Sequence, residues 1–372
     1  GVRLVGSEMC IRDSITINDL NNYGNRLQNY ALTKLLGKYG KTTTSYCVAS
    51  RTVPVCLAVL YYPFSSFVRR CVKGIKNGDY TVLKERHKRM CSFTKRWVPA
   101  KSVYIDGFCG IMPKKNLSKN YVLGSDQVWN FAFLSKRGLG LRLGACVPEG
   151  HSIISYAASF GVSEVDDAAK PIFQKYLPRL RTISVREDRG VELVKEMTGM
   201  DATVVLDPTL MLTVDKWREI TENFVADDDE YVLTYFLGRP SDEQERDIQA
   251  YAKAHGCRVR RILDFRDKET YVAGPQDFVE LFSKAQYVFT DSYHACCFSI
   301  LFHKQFTVFN RAGMTGKSNM NSRMETLFRL FNLNSVMMDS GLAPEIDYRE
   351  VDCLLEQHRK ESQEWLDNAM ED

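Results

Sequence analysis

The stretch ITINDLNNYGNRLQNYALTKLLGKYGKTTTSYCV, residues 15–48, decides the fold. Its first residues, Ile15–Ile17, form a short β run that breaks into a polar loop. From Asn25 the apolar side chains recur at helical spacing as far as Gly40, and Thr42–Val48 is again typical of a strand. A strand, a loop, an amphipathic helix and a second strand predict the opening of a doubly wound α/β sheet.

Strands and helices alternate through the rest of the 372-residue chain, and at about 150 residues per domain the length fits two domains. We predict two α/β domains with parallel sheets, at residues 15–212 and 230–335, separated by the polar, acidic stretch Leu212–Asp229. A long, charged C-terminal helix is expected within residues 345–372. Residues 51–120, rich in aromatic and basic side chains and without a clear strand, are predicted to be a helical insertion.

The first fourteen residues, GVRLVGSEMCIRDS, differ from the rest of the chain. They have neither the apolar core of a signal peptide nor the period of a helix or strand. Their sequence resembles a translated sequencing adapter. We therefore predict that Gly1–Ser14 is a non-native or disordered terminus.

The composition predicts a cytoplasmic protein without a nucleic-acid partner. The 50 Lys and Arg residues outnumber the 46 Asp and Glu residues by only four, whereas a general nucleic-acid binder needs a dominant basic face. The eleven cysteines contain no C-x-x-C pair, which favours free thiols in a reducing compartment. No apolar run approaches the roughly 18 residues needed to span a bilayer.

Basic residues cluster locally at residues 69–97, where Tyr80, Phe93 and Trp97 are interleaved with them. Such a cluster is usually a solvated face. The aromatic side chains leave open a second interpretation, in which residues 69–97 bind an acidic or lipid-linked acceptor at the inner face of a membrane.

In open α/β sheets the ligand lies outside the carboxyl ends of the strands. Seven segments follow predicted strands: Asn22–Arg26, Ser125–Trp129, Ser159–Gly161, Arg186–Glu187, Asp207–Thr209, Asp291–His294 and Arg311–Lys317. Together they supply four candidate anion ligands, two of which lie near predicted helix N-termini: Arg26, Arg186, His294 and Lys317. We infer a site for a small, multiply charged anion.

Dinucleotide and metal chemistry are not expected at this site. No G-x-G-x-x-G follows the first strand, no Walker motif is present, and no two of the six histidines have metal-ligand spacing. Asp207–Thr209 fits a turn and helix cap, Trp129 an anchor in the core or at the domain interface, and Cys296 and Cys297 buried thiols. His294, at the mouth of a strand, is the residue for which we favour a functional role.

Seven blocks, in order from about Ile15 to Phe331, resemble those of polysaccharide pyruvyl transferases. They are NYGNRLQNYAL (22–32), GSDQVWN (124–130), SYAASFG (155–161), SVRE (184–187), VLDPT (205–209), TDSYH (290–294) and NSRMETL (321–327). The resemblance implies a fold similar to that of GT-B glycosyltransferases, in which two Rossmann-like α/β domains face a central cleft. It also implies transfer of a pyruvyl group from phosphoenolpyruvate, as a ketal, to a saccharide or lipid-linked glycan acceptor, with phosphate released and no cofactor or metal.

The resemblance also implies roles for individual residues. Arg186 would bind the donor phosphate or carboxylate, and His294 would act as acid and base near the enol, although Ala295 stands where the family commonly has Gly. The predicted substrate-binding residues are Gly24, Asn25, Arg26, Ser125, Asp126, Ser159, Ser292, Lys317 and Arg323. We expect Arg186 and His294, from different domains, to face one cleft, with Asn25, Ser125 and Lys317 on its walls.

Two alternatives stay open at this stage. A glycosyltransferase that uses a nucleotide sugar would share the architecture, and Glu325 would be available for the ribose. A non-catalytic glycan-binding relative would also keep the fold. The phosphoenolpyruvate chemistry itself requires at least two cationic groups in a metal-free site, together with a general acid for the enol.

Overall fold

The computed structural model describes residues 12–50, 79–106, 118–226, 229–310 and 322–371. Its first sheet has seven parallel strands in the order β3-β2-β1-β4-β5-β6-β7. The strands are β1 Arg12–Ile15, β2 Thr42–Ser50, β3 Ala100–Asp106, β4 Asn120–Asp126, β5 Ser152–Ala158, β6 Thr182–Val185 and β7 Thr203–Val204. The strand order reverses between β1 and β4, which is where a doubly wound sheet opens a crevice for ligands.

The second sheet has five parallel strands in the order β12-β11-β10-β8-β9. They are β8 Tyr231–Tyr235, β9 Arg258–Ile262, β10 Tyr287–Thr290, β11 Gln305–Phe309 and β12 Met337–Met338. Here the order reverses between β8 and β10, as in the other common doubly wound arrangement. The prediction of two parallel-sheet α/β units with interleaved helices is confirmed.

Helices of very different length connect the strands. They are α1 Tyr23–Leu36, α2 Tyr80–Trp97, α3 Lys136–Arg142, α4 Lys170–Tyr176, α5 Asp188–Thr198, α6 Pro208–Met211, α7 Val214–Arg218, α8 Asp242–Ala254, α9 Lys268–Tyr271, α10 Pro275–Lys284, α11 Tyr293–Leu301, α12 Ser322–Leu330 and α13 Tyr348–Met370. Polar caps fix several helix starts: the Asn22 side chain accepts the Asn25 N–H, and Ser241 and Gln244 form a capping box at α8.

Two sequence predictions are corrected. The insertion predicted without a strand contains β3, which pairs with β2, and the first strand begins at Arg12 rather than Ile15. Asp13 and Ser14, which the sequence pattern places in the disordered terminus, are buried. Lys101 on β3 lies 2.7 Å from the Asp13 carboxylate, so the partner of this buried charge comes from a distant strand that the local pattern does not reveal. Residues 1–11, 51–78 and 107–117 lie outside the described residues.

One hydrophobic cluster joins the two halves of the chain. Tyr23, at the start of α1, stacks on Phe278 of α10 with ring centroids 5.0 Å apart, and its hydroxyl donates to the carbonyl of Ala273 at 2.7 Å. Arg86 of α2 donates to the Tyr23 hydroxyl at 3.2 Å. This apolar junction fixes the first turn of α1 against the second half.

The C-terminal helix α13 returns to the first sheet. Leu366 and Ala369 pack with Leu32 and Val122 in a separate cluster, and the Arg359 guanidinium donates to two backbone carbonyls that follow β7. In the part of the chain that the structure describes, no helix is long and apolar enough to cross a membrane.

Candidate functional site

The predicted site residues meet where the carboxyl ends of the two sheets approach each other. Asp126 ends β4, Arg186 follows β6 and Asp207 follows β7, while His294 is the second residue of α11, directly after β10. Arg186 and His294 come from different halves and share Asp207 as a neighbour.

Arg186 is completely buried between two carboxylates. Its Nη1 lies 2.7 Å from an oxygen of Asp207 and its Nη2 lies 3.2 Å from Asp126. Its guanidinium also lies 4.2 Å from the centre of the Tyr293 ring. Burial by itself would lower the pKa of Arg186, but Asp207, Tyr293 and Asp126 outweigh burial and raise it.

The two carboxylates are fixed from other directions as well. Asp207 accepts from the backbone N–H and the hydroxyl of Thr209 at 2.9 and 2.7 Å, which caps α6 as predicted. Asp126 accepts from the Asn25 side chain at 3.4 Å. Burial opposes ionisation of Asp126, but Arg186 and other nearby cations lower its pKa to about 2.

The His294 ring lies against the backbone of Gly24. A Cβ atom at Gly24 would come within 2.1 Å of His294 Nδ1, so only glycine fits at this contact between the two halves. His294 Nε2 lies 3.8 Å from Asp207, too far for a hydrogen bond, and this buried atom has no hydrogen-bond partner among the described residues.

Burial lowers the pKa of His294 below its ordinary value of 6.5. Asp207 and Asp126 oppose this shift, whereas Arg186 and Arg323 add to it. The imidazole is therefore mostly neutral at pH 7.

Arg323 brings a second guanidinium to the same place from α12. With its amide oxygen facing Arg323, Gln127 accepts from Nη1 at 2.8 Å and from Nη2 at 3.1 Å. The Arg323 guanidinium lies 5.9 Å from the centre of the Tyr293 ring, which also contacts Arg186. Burial and the neighbouring Arg186 lower the pKa of Arg323 to about 10, despite the attraction of Asp126 and other acids.

Glu187 holds the loop after β5. One of its carboxylate oxygens accepts from the Ser159 hydroxyl at 3.0 Å and from the N–H groups of Phe160 and Gly161 at 2.8 and 3.1 Å. The hydroxyl of Ser159 therefore contacts protein, and ligand binding by Ser159 stays a prediction.

Three of the other predicted binding residues make hydrogen bonds within the protein. Asn25 bridges the Asp19 N–H and Asp126, and Arg26 donates to the Ile17 carbonyl at 3.2 Å. Ser125 donates to Gln28 at 2.7 Å. Ser292 precedes α11 and is buried, and Lys317 lies outside the described residues. Substrate binding by these residues stays a prediction.

The sequence did not predict that Asp207 pairs with Arg186. The strand-end rule selected this residue, but the D-P-T pattern favoured a cap alone, because the pattern does not show that β6 places Arg186 beside it. Gln127 and Tyr293 were within the right segments but were given no role. Trp129 packs on Phe160 in the core of the first sheet, as predicted.

Three other residues contribute packing rather than chemistry. Cys296 and Cys297 are fully buried, as predicted, and burial raises the pKa of both thiols. Ala295 is also fully buried and its methyl group lies in the hydrophobic cluster that joins the halves. In the described part of the chain, no group of three His, Cys, Asp or Glu side chains has the arrangement of a metal site.

The geometry defines a class of α/β protein in which two doubly wound sheets enclose arginines, carboxylates and a histidine at their facing edges. The family model for polysaccharide pyruvyl transferase matches residues 22–313. The chain therefore belongs to the polysaccharide pyruvyl transferase family, which confirms the resemblance noted in the sequence.

Solved structures similar to the chain include three sugar-nucleotide enzymes. A putative UDP-N-acetylglucosamine 2-epimerase from Listeria monocytogenes has a TM-score of 0.45 and 11% identity over 96% of this chain and 91% of that one. The 2-epimerase from Rickettsia bellii has a TM-score of 0.46 and 8% identity over 97% and 96%. The ADP-heptose lipopolysaccharide heptosyltransferase II from E. coli has a TM-score of 0.38 and 10% identity over 93% and 98%. No curated protein sequence matches the chain.

Proposed function

We propose that the protein transfers the pyruvyl group of phosphoenolpyruvate to two hydroxyls of a sugar in a polysaccharide precursor, which forms a ketal and releases phosphate. One observation carries this proposal: Arg323 and His294 converge from the second half on a buried site in which Arg186 is already neutralised by two carboxylates. The second arginine and the histidine are therefore the groups that an added anion would contact.

The donor suits this distribution of charge. Phosphoenolpyruvate carries a phosphate and a carboxylate, and charge-assisted hydrogen bonds to guanidinium groups bind both well. The lowered pKa of Arg323 means that its positive charge is destabilised in the free protein. A bound anion would remove this penalty, so part of the binding free energy would come from relieving it.

The residues also suit the proton transfers of the reaction. The first sugar hydroxyl adds to C2 of the enol, C3 takes a proton, and the hydroxyl proton leaves. The second hydroxyl then displaces phosphate from C2: the C2–O bond to phosphate breaks, the proton of this hydroxyl leaves with the phosphate, and the ketal closes. We assign the proton donor for C3 to His294, whose Nε2 has no hydrogen-bond partner among the described residues.

Donor binding would favour protonation of His294. The free protein keeps His294 neutral at pH 7 because burial lowers its pKa. A donor with multiple negative charges placed beside the ring favours the protonated form and raises that pKa again. The same group then takes up a proton as the donor binds and delivers it to C3.

A direct assay tests the proposed function. Phosphate release is measured with phosphoenolpyruvate and a panel of glycan acceptors, and thermal unfolding is compared with phosphoenolpyruvate and with nucleotide sugars. We expect acceptor-dependent phosphate release and a higher melting temperature with phosphoenolpyruvate. Stabilisation by a nucleotide sugar alone would favour the glycosyltransferase alternative, and glycan binding without turnover would favour the non-catalytic one.

A contact at the second switch point argues against the nucleotide-sugar alternative. The Asp291 carboxylate accepts from the N–H groups of Leu237 and Gly238 at 2.7 and 2.8 Å. In doubly wound domains, N–H groups of the turn after the first strand bind the phosphates of a nucleotide. Here an acidic side chain occupies two of these N–H groups.

We also propose that the protein works at the cytoplasmic face of a membrane that carries a lipid-linked acceptor. Residues 69–96 contain ten Lys and Arg residues and two acidic residues, although the whole chain has a net charge of only +4. On α2, Lys84, Lys88 and Lys95 are exposed at spacings of four and seven residues, so they share one helical face. Each lysine near an anionic bilayer contributes about 1 kcal/mol.

Vesicle sedimentation tests this contact. We expect the protein to bind phosphatidylglycerol vesicles at low salt and to release them at high salt, and the combined Lys84→Glu, Lys88→Glu and Lys95→Glu variant to lose this binding. Lys175→Glu, Lys195→Glu and Lys360→Glu, which change the charge equally on other exposed surfaces, form the control. Equal losses in the two variants would show that net charge, rather than α2, governs binding.

A further inference from the structure

We propose that Asp188, Thr326 and Arg329 form an interdomain clamp that sets the separation of Arg323 from Arg186, and with it the affinity of the site for the donor anion. This inference rests on the proposed function and assigns positioning residues to it. The three residues lie outside the seven strand-end segments and none was predicted as a site residue.

The clamp joins α5 of the first half to α12 of the second. The Asp188 N–H donates to the Thr326 hydroxyl at 3.0 Å, and Arg329 Nε and Nη2 donate to the Asp188 carboxylate at 2.7 and 2.8 Å. The ion pair is therefore bidentate, the geometry in which a guanidinium fixes orientation as well as distance. Thr326 is buried, whereas the side chains of Asp188 and Arg329 are about half exposed.

Each side of the clamp lies close in sequence to one of the two site arginines. Asp188 follows Arg186 by two residues at the start of α5, and Arg329 follows Arg323 by six residues on the same helix. Six helical residues span roughly 9 Å, so a shift of the clamp moves Arg323 with it.

The clamp has a physical reason to exist. Two guanidinium groups contact one tyrosine ring, Arg186 at 4.2 Å and Arg323 at 5.9 Å, and their like charges repel. The free protein has to hold them together before an anion is present. The attraction between Asp188 and Arg329, at the far end of α12, opposes this repulsion. It leaves the surroundings of Arg323 open for the donor anion.

The test measures KM and kcat for phosphoenolpyruvate, together with calorimetric binding of phosphoenolpyruvate and of inorganic phosphate. For Arg329→Met and Thr326→Val we expect KM and both dissociation constants to rise about fivefold, with kcat unchanged, as for loss of one exposed ion pair. Arg329→Lys, which keeps the charge but not the bidentate contact, should recover part of the affinity.

A double-mutant comparison separates positioning from a general structural effect. In an Arg323→Met background, Arg329→Met should raise the dissociation constants no further, because the residue through which the clamp acts is gone. Arg349→Met, which breaks the exposed pair with Asp347 at the start of α13, is the matched control and should leave binding unchanged. Equal losses of affinity with and without Arg323, or a lower melting temperature with normal affinity, would overturn the clamp.

The outcome also distinguishes this inference from the proposed function. If phosphoenolpyruvate is not turned over but phosphate binding still depends on Arg329 through Arg323, the proposed reaction fails and the clamp stands. If turnover is normal and Arg329→Met has no effect on either ligand, the clamp fails and the reaction stands. A protein that binds neither ligand contradicts both.

Discussion

The surroundings of Arg186 and Arg323 differ although both arginines are buried at one site. Arg186 has a carboxylate on each of its two Nη atoms, and these acids raise its pKa. Arg323 donates to the amide oxygen of Gln127, and burial and the nearby Arg186 lower its pKa to about 10. The first guanidinium is therefore neutralised by the protein, whereas the second is better stabilised by a ligand.

Because of this difference, we expect Arg186 to contribute mainly to the stability of the fold and Arg323 mainly to binding of the donor. Removing a neutralised buried charge leaves its partners unpaired and destabilises the fold. Removing Arg323, whose positive charge is destabilised by burial and by Arg186, relieves a penalty in the free protein and costs affinity instead. The positive charges of both arginines contribute to the lowered pKa of His294.

The largest expected effect is on turnover, at His294. His294→Ala should lower kcat by about 10²–10⁴-fold, as for loss of a general acid, with only a modest change in donor affinity. Steady-state kinetics with phosphoenolpyruvate measure both parameters. Near-normal turnover would mean that another group donates the proton, and Lys317 would be the next candidate.

The pH dependence of the wild type sharpens the same prediction. His294 has a lowered pKa in the free protein, so kcat/KM should fall as pH rises through a midpoint below 6.5. The bound donor favours the protonated ring, so the corresponding midpoint for kcat should lie at higher pH. The decreases of kcat/KM and of kcat with pH should both be absent from the residual activity of His294→Ala. In the wild type, equal midpoints for kcat/KM and kcat would contradict the proposed proton uptake.

Arg186→Met should cause the largest loss of stability. It leaves Asp207 and Asp126 without their partner, and breaking a buried pair in this way costs about 3–5 kcal/mol. Urea denaturation measures the change, and adding Asp207→Asn should recover part of it. A small change would show that Arg186 is not neutralised as the structure indicates and that it remains available to the donor.

Arg323→Met should show the opposite pattern. The free energy of unfolding should be unchanged or higher, while the dissociation constant for phosphoenolpyruvate rises by about 10–100-fold, as for loss of a hydrogen bond to a charged group. Calorimetry and urea denaturation on the same sample give both values. The comparison between the two arginines fails if Arg323→Met is the more destabilising variant.

The last expected effect appears only in acid. The pKa of Asp126 is about 2 in the folded protein, below the ordinary 3.8, so Asp126 stabilises the fold above pH 3.8 and this contribution is lost as pH falls through 2. The shift corresponds to about 2 kcal/mol. The difference in unfolding free energy between wild type and Asp126→Asn should therefore narrow by that amount from pH 5 to pH 2, and a constant difference would contradict the shifted pKa.

Much of the architecture could be predicted because parallel strands carry strong local signals. Both sheets, and the placement of Arg186 and His294 at facing strand ends, follow from the alternation of apolar runs with helices and from the strand-end rule. β3, with the sequence AKSVYID, was missed because its charged ends hide the apolar centre. The ladder with β2 holds this strand in place, and pairing between distant segments is not visible in a local pattern.

The partners of the site residues could not be predicted for the same reason. Asp207 is recognisable as a cap from its own neighbours, Pro208 and Thr209, but its pairing with Arg186 depends on two strands lying side by side. The clamp is equally invisible, since Asp188 and Arg329 are separated by 141 residues. Sequence reasoning located the polar groups, and the fold decided which of them neutralise one another.

The return of α13 to the first sheet has a consequence for how the protein is made. The Leu206 N–H donates to the Ser362 hydroxyl, 156 residues further along the chain, and Leu366 covers apolar side chains of α1 and β4. At about 5–20 residues per second, a ribosome needs roughly 8–30 s to synthesise that interval. During this time the first sheet has emerged without the helix that packs on Leu32 and Val122, so this apolar patch is where a chaperone would bind the nascent chain.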